Sequence, residues 1–159
     1  MSSTYGGLLA ENCIDGGVSG RLSMCHTESE KAPWLALDFG AQVAVEKVVL
    51  NNRNKGFPER LRNAEVRVAD QLLDSGQQMF TGGQLLGTFA GPGKTGEVVT
   101  LTSSSGIGGR FVIVQMDFSP GTDNLNLMEV TVWGKKQGMF AKYGFAVPGQ
   151  HDKFCNLLF

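Results

Sequence analysis

The chain has 159 residues, 22 of them glycine, with a formal net charge of −1 and an isoelectric point near 6.1. That size suits one domain able to bury roughly two-thirds of the surface its unfolded form exposes, so a core needs neither a metal nor a disulfide to form. The balanced charge argues against nucleic acid as a partner, and no apolar run approaches the roughly 20 residues that a membrane-spanning helix requires.

Residues 1–5 lack the basic start and apolar middle of a secretion signal, so the chain as given reads as soluble, with a removed leader left open. Next comes Ala10-Glu11-Asn12-Cys13-Ile14-Asp15-Gly16-Gly17, a glycine-bearing loop rich in oxygen donors. Together with Ser23 and the distant Met128-Glu129 it offers carboxylates, a hydroxyl and carbonyls, the ligands a hard cation such as calcium prefers. By itself an Asn-x-x-Asp-Gly run is equally an ordinary turn. Cys13, Cys25 and Cys155 are odd in number and at no metal-ligand spacing. They predict neither a disulfide framework nor a zinc site, and read as buried, inert thiols.

Short runs with period-two alternation then follow one another, at 34–39, 42–50, 64–69, 85–89, 97–101, 110–118 and 125–133. Glycine, serine, asparagine and proline clusters separate them, as in an all-β fold. In the third run Ala64, Val66 and Val68 share one face against Glu65 and Arg67; in the last, Val130 and Val132 oppose Glu129 and Thr131. One dry face and one wet face per strand is the pattern of a β-sandwich. Asp38 before Phe39-Gly40 reads as a turn residue, and Trp34 and Trp133 as core or sheet-edge residues. Residues 71–80 could supply a short turn of helix. Residues 1–136 form the predicted domain, and 137–159, which lack clean periodicity, an extension packing on the domain or on a partner.

Between the second and third runs lies Asn52-Arg53-Asn54-Lys55-Gly56-Phe57-Pro58-Glu59-Arg60-Leu61. Two arginine forks on a turn-forming loop can fix neighbouring hydroxyls or a carboxylate in a set orientation. They could equally pair with Glu59, Glu65 or Asp70 in surface ion pairs. No nucleophile with a base partner, close carboxylate pair or open catalytic metal suggests itself, so the reading is non-enzymatic.

The ordered series Ala10-Glu11-Asn12-x-Ile14-Asp15-Gly16, Ser23-Met24-Cys25-His26-Thr27, Pro33-Trp34-Leu35-x-Leu37-Asp38-Phe39-Gly40, Val48-Val49-Leu50-x-Asn52-Arg53, Arg60-Leu61-x-Asn63-Ala64-Glu65-Val66-Arg67-Val68 and Leu127-Met128-Glu129-Val130-x-Val132 resembles the F-type lectins. These are the fucose-binding branch of the discoidin, or coagulation factor 5/8 type C, superfamily. The family motif sets an arginine twenty-seven positions after a histidine and a basic residue seven beyond that; His26, Arg53 and Arg60 keep this spacing.

The resemblance implies a β-jelly-roll sandwich (galactose-binding, discoidin-like) with a structural calcium ion and a partner that is a fucosylated glycan. The ion would be held by Asn12, Asp15, Gly17, Ser23, Met128 and Glu129. The sugar would be held by His26, Arg53 and Arg60, with Phe57 as its apolar platform. It also implies an extracellular setting, and the sequence is compatible with an oligomer.

Three positions depart from the family. Lys55 replaces a motif aspartate, Gly56-Phe57 replaces two adjacent cysteines, and Met24 and Met128 stand where many members have a cysteine bridge. Those departures and the tail fit a competing reading, a discoidin-like module that has lost sugar binding and serves as a protein-interaction or structural subunit.

Overall fold

In the computed structural model the described residues are 1–19, 23–72 and 79–136 together with a strand at 152–154. The strands are β1 (Cys25–His26), β2 (Trp34–Asn51), β3 (Ala64–Ala69), β4 (Gln84–Phe89), β5 (Val98–Met116), β6 (Asn126–Leu127), β7 (Glu129–Lys136) and β8 (Asp152–Phe154). Single turns of 3-10 helix occupy Ala10–Cys13 and Pro58–Arg60. All strand pairing is antiparallel. β1 pairs with β6, and a six-stranded sheet runs in the order β4-β3-β5-β2-β7-β8.

The fold is the all-β sandwich that the alternation predicts, but its strands are longer. The runs at 34–39 and 42–50 are one 18-residue strand, and those at 97–101 and 110–118 are one 19-residue strand. Asp38 does act as a turn residue, since its Oδ1 accepts the Gly40 N–H at 2.8 Å and its carboxylate holds Arg110 at 2.6 Å. The pairing of β2 with β5 slips between Asp38 and Val43 and resumes beyond it. Strands β2 and β5 thus bend through both layers: 34–38 of β2 pairs with 111–115 of β5, whose other edge carries β3, while 43–51 of β2 runs beside β7.

The Ser-Gly run at 103–109 looks like a loop in sequence, yet it is strand because β2 supplies backbone partners for 107–109 and Ile107 is buried. Gly109 tolerates no side chain there; a Cβ would lie 2.7 Å from Val68 Cγ1 and 2.9 Å from the Ala69 carbonyl.

One core cluster receives side chains from both layers, including Leu35, Leu37, Val66, Val112 and Val114 from one and Val45, Val48, Leu50, Val130 and Val132 from the other. Strand β3 alternates buried and half-buried as predicted. Strand β7 does not: Glu129 and Thr131 are buried as well, and the Gly16 N–H of the loop after the first 3-10 turn donates to Glu129 Oε2 at 3.2 Å. Trp34 is half-buried edge-on to Phe80, and Trp133 lies under the Lys47 ammonium. Most of the predicted helical turn at 71–80 lies outside the described residues, and 71, 72, 79 and 80 are not helical. The predicted extension 137–159 also lies outside them except for β8, which pairs with Val132–Gly134 of β7.

The cysteines depart from expectation. Cys13 and Cys25 form a disulfide across twelve residues, with Cα atoms 5.2 Å apart. Their spacing carries no signal. The pair forms because Leu8 and His26 hydrogen-bond through their backbones, which lays the first 3-10 turn against β1.

Candidate functional site

Strand β1 is only two residues long, but its ladder with β6 places His26 directly opposite Asn126. Hydrogen bonds of the next residue, from Thr27 N–H to the Leu125 carbonyl and from Leu125 N–H to Thr27 Oγ1, both 2.9 Å, extend this anchor. His26 is only 6 % exposed, and its Nδ1 lies 2.7 Å from the Thr27 carbonyl. A carbonyl can only accept, so Nδ1 carries the proton and Nε2 of the neutral ring is an acceptor. Burial, followed by the nearby Arg53 and Arg60 charges, holds the His26 pKa below its ordinary 6.5 despite the opposing pull of the Thr27 carbonyl. The ring is therefore neutral at pH 7.

The loop after β2 is shaped by Asn52, which is 2 % exposed. Its amide donates to the carbonyls of Pro58 and Lys94, both at 2.9 Å, while its Oδ1 accepts the Arg53 N–H at 2.8 Å. All its near neighbours are thus fixed by one buried side chain. Gly93 makes room for it, since a Cβ there would fall 2.6 Å from Asn52 Nδ2. Within the loop, Arg53 Nε donates to the Lys55 carbonyl at 2.7 Å and Nη1 to Asn126 Oδ1 at 3.3 Å. Phe57 adopts a left-handed backbone with φ 47°, uncommon for an aromatic residue, and leaves its ring 59 % exposed. The guanidinium carbons of Arg60 and Arg53 lie 4.6 and 5.9 Å from that ring.

His26 and the Arg53, Phe57 and Arg60 of one loop, predicted from two separated stretches of sequence, therefore come together on one face of the molecule. The arginines do not make the ion pairs the sequence suggested. Glu65 pairs with Arg67 and Asp70 accepts from Gln42, whereas Arg60 pairs at 3.1 Å with Asp123, which also holds Arg62 at 2.9 Å. Asp123 is itself clamped by a two-way backbone bridge to Glu30. A carboxylate from the 117–125 loop thus reaches Arg60 but not Arg53, and Lys55 replaces the one the family motif would supply.

Sequence reasoning also passed over Tyr5, whose ring is 52 % exposed and 5.0 Å from the His26 ring, and whose N–H donates to the His26 carbonyl at 2.8 Å. Neither Tyr5, Asp123 nor Asn126 has a spacing that marks it; their positions depend on the β1–β6 ladder. A cleft of about 430 Å³ between β3 and β4, lined among others by Glu65, Arg67, Phe80 and Phe89, shares no residue with this cluster.

Several of the predicted cation ligands lie close to one another in the loop after the first 3-10 turn and at the start of β7. Asp15 Oδ1 accepts the Gly17 N–H at 2.6 Å, and a Cβ on Gly17 would lie 2.8 Å from Asp15 Oδ1 and 3.2 Å from Ser23 Oγ. Glu129 reaches the same turn through Gly16, and Ser23 Oγ donates to the Ser19 carbonyl at 2.6 Å. Asn12 sits on the adjoining 3-10 turn and bonds the Met24 carbonyl at 3.3 Å. Met128 packs with Met24 and Leu8, an apolar contact where many relatives of this kind have a cysteine bridge. Two carboxylates, one of them buried, with a hydroxyl and a glycine-rich backbone make an all-oxygen set that fits a hard cation. Among the described residues no group of three His, Cys, Asp or Glu side chains gathers, so any cation here would need hydroxyl and backbone oxygens beside Asp15 and Glu129.

The family model of the F5/F8 type C, NedA-like galactose-binding domain matches residues 12–114. A fucolectin from Anguilla anguilla is 27 % identical over 126 residues, covering 77 % of this chain and 75 % of its own length. An F-lectin from striped bass (Morone saxatilis) serum superposes with a TM-score of 0.73 at 25 % identity, over 84 % of this chain and 45 % of that one. The lectin domain of lectinolysin, solved with Lewis B antigen, gives a TM-score of 0.66 at 27 % identity over 84 % and 89 %. The chain spans between 15 % and 75 % of the length of the curated relatives it matches. With the matched stretch covering most of the sandwich and fucolectins among its relatives, the chain belongs to the F5/F8 type C family of galactose-binding domains.

Proposed function

We propose that this chain is a non-enzymatic, calcium-stabilised carbohydrate-binding module for fucose or a related sugar, with His26, Arg53 and Arg60 as its polar contacts and Phe57 as its platform. The observation that carries the reading is the convergence of an acceptor, two donor forks and an exposed aromatic face on one site. Neutral His26 offers Nε2 to a sugar hydroxyl proton, while the guanidinium groups donate to hydroxyl oxygens. Phe57 then covers the sugar's C–H face.

Asn12, Asp15, Gly17, Ser23, Met128 and Glu129 would hold the calcium ion, which would brace the loop leading to His26. A braced loop loses less entropy on binding. The Cys13–Cys25 disulfide supports maturation in an oxidising, extracellular type of compartment.

A glycan array probed with the full chain, in calcium and in chelator, tests the proposal. Binding to fucosylated glycans in calcium, weakened by chelation, is expected. Well-folded protein that binds no glycan in calcium would favour the competing interaction-module reading instead.

A further inference from the structure

We infer that the sugar this site prefers carries a negative charge, a sulfate or carboxylate group, rather than being a neutral fucoside; the inference rests on the sugar-binding reading above. Arg53 is half-buried, yet its guanidinium is satisfied only by neutral acceptors, the Lys55 carbonyl and the Asn126 amide oxygen. No described carboxylate lies at ion-pair distance from it. Lys55 stands on the same exposed turn and makes no ion pair with a described residue. Arg60 and Arg62 share one carboxylate, Asp123. Glu59 is exposed and acts on Arg53 only at a distance.

The turn and its neighbours therefore present four cationic side chains, Arg53, Lys55, Arg60 and Arg62, against Asp123, Glu59 and, beside His26, Glu28. A neutral sugar leaves this excess uncompensated. A ligand anion would give Arg53 the charged acceptor it lacks and bring Lys55 into the contact. Sulfate and sugar carboxylate share the chemistry the site calls for, a singly charged group with several acceptor oxygens.

The test is calorimetric titration of the calcium-loaded full chain with methyl α-L-fucoside, the same fucoside bearing a sulfate, and a sialylated or glucuronate-bearing sugar. Each titration is run at low and high salt, for the wild type and for Lys55→Asp. An anionic sugar is expected to bind roughly tenfold tighter than the neutral fucoside at low salt. That advantage should shrink at high salt and in Lys55→Asp, whose melting temperature should match the wild type because residue 55 is exposed. Whichever anionic sugar wins identifies the group. Equal binding of neutral and anionic sugars, with a ratio indifferent to salt and to Lys55→Asp, overturns this inference and leaves the sugar-binding reading standing. Folded protein that binds none of the three sugars overturns both.

Discussion

Phe57 holds an uncommon backbone conformation with an exposed ring against which two guanidinium groups lie. Its truncation should therefore separate binding from stability. Phe57→Ala is expected to weaken sugar binding about fivefold while leaving the melting temperature nearly unchanged, as titration and thermal unfolding would show. Asn52 behaves oppositely. Removing its buried amide leaves the Pro58 and Lys94 carbonyls without their donor, so Asn52→Ala should cost about 1–3 kcal/mol in denaturant unfolding and also weaken sugar binding.

His26 gives the site its pH dependence. Its folded pKa is depressed, so the folded state resists protonation while the unfolded chain takes up a proton near 6.5. The stability contribution is complete above that value and declines as pH falls from there through the folded pKa. Sugar binding that uses Nε2 as acceptor should hold through neutral pH and fall in acid, whereas a His26→Gln variant should lose that acid limb. The spacing of His26, Arg53 and Arg60 was legible in the sequence because it repeats a family motif. Asp123 and Asn126 were not, since they reach the site through the β1–β6 ladder rather than through chain proximity.

Among the elements, the first 3-10 turn and β1 are joined by the Cys13–Cys25 disulfide, which ties the proposed cation-binding loop to the residue preceding His26. For so short a closed loop, replacing both cysteines by serine should cost about 3 kcal/mol of stability by the chain-entropy account, measurable in denaturant unfolding. Sugar affinity should fall with it, because His26 loses part of its frame. The sequence hid this bond because cysteine count and spacing say nothing about which loops pack together. It hid the length of β2 and β5 for a related reason: local turn chemistry at Asp38-Gly40 and 103–109 marks breaks that cross-strand pairing overrides. Strand β3, whose alternation meets no such competition, matches its predicted limits. Glu129 was assigned to a wet face by alternation, but it is buried, and the loop whose Gly16 N–H donates to it comes from the other end of the domain.

Across the whole molecule, one bent pair of long strands builds both layers of the sandwich, and the loops around it carry the proposed cation ligands and the proposed sugar donors. Calcium should therefore raise the melting temperature with a dependence on its concentration, and Glu129→Gln should remove that dependence. A melting temperature indifferent to calcium would retire the metal assignment while leaving the donor cluster intact.

The most direct test of that cluster is titration of wild type and Arg53→Ala with fucosylated glycans, neutral and sulfated, in calcium and at matched melting temperature. The wild type should bind with one saturable site, and Arg53→Ala should lose binding by tenfold or more for a charged donor removed from the contact. Equal affinity of the two proteins for the glycan would contradict the site placed at His26, Arg53 and Arg60.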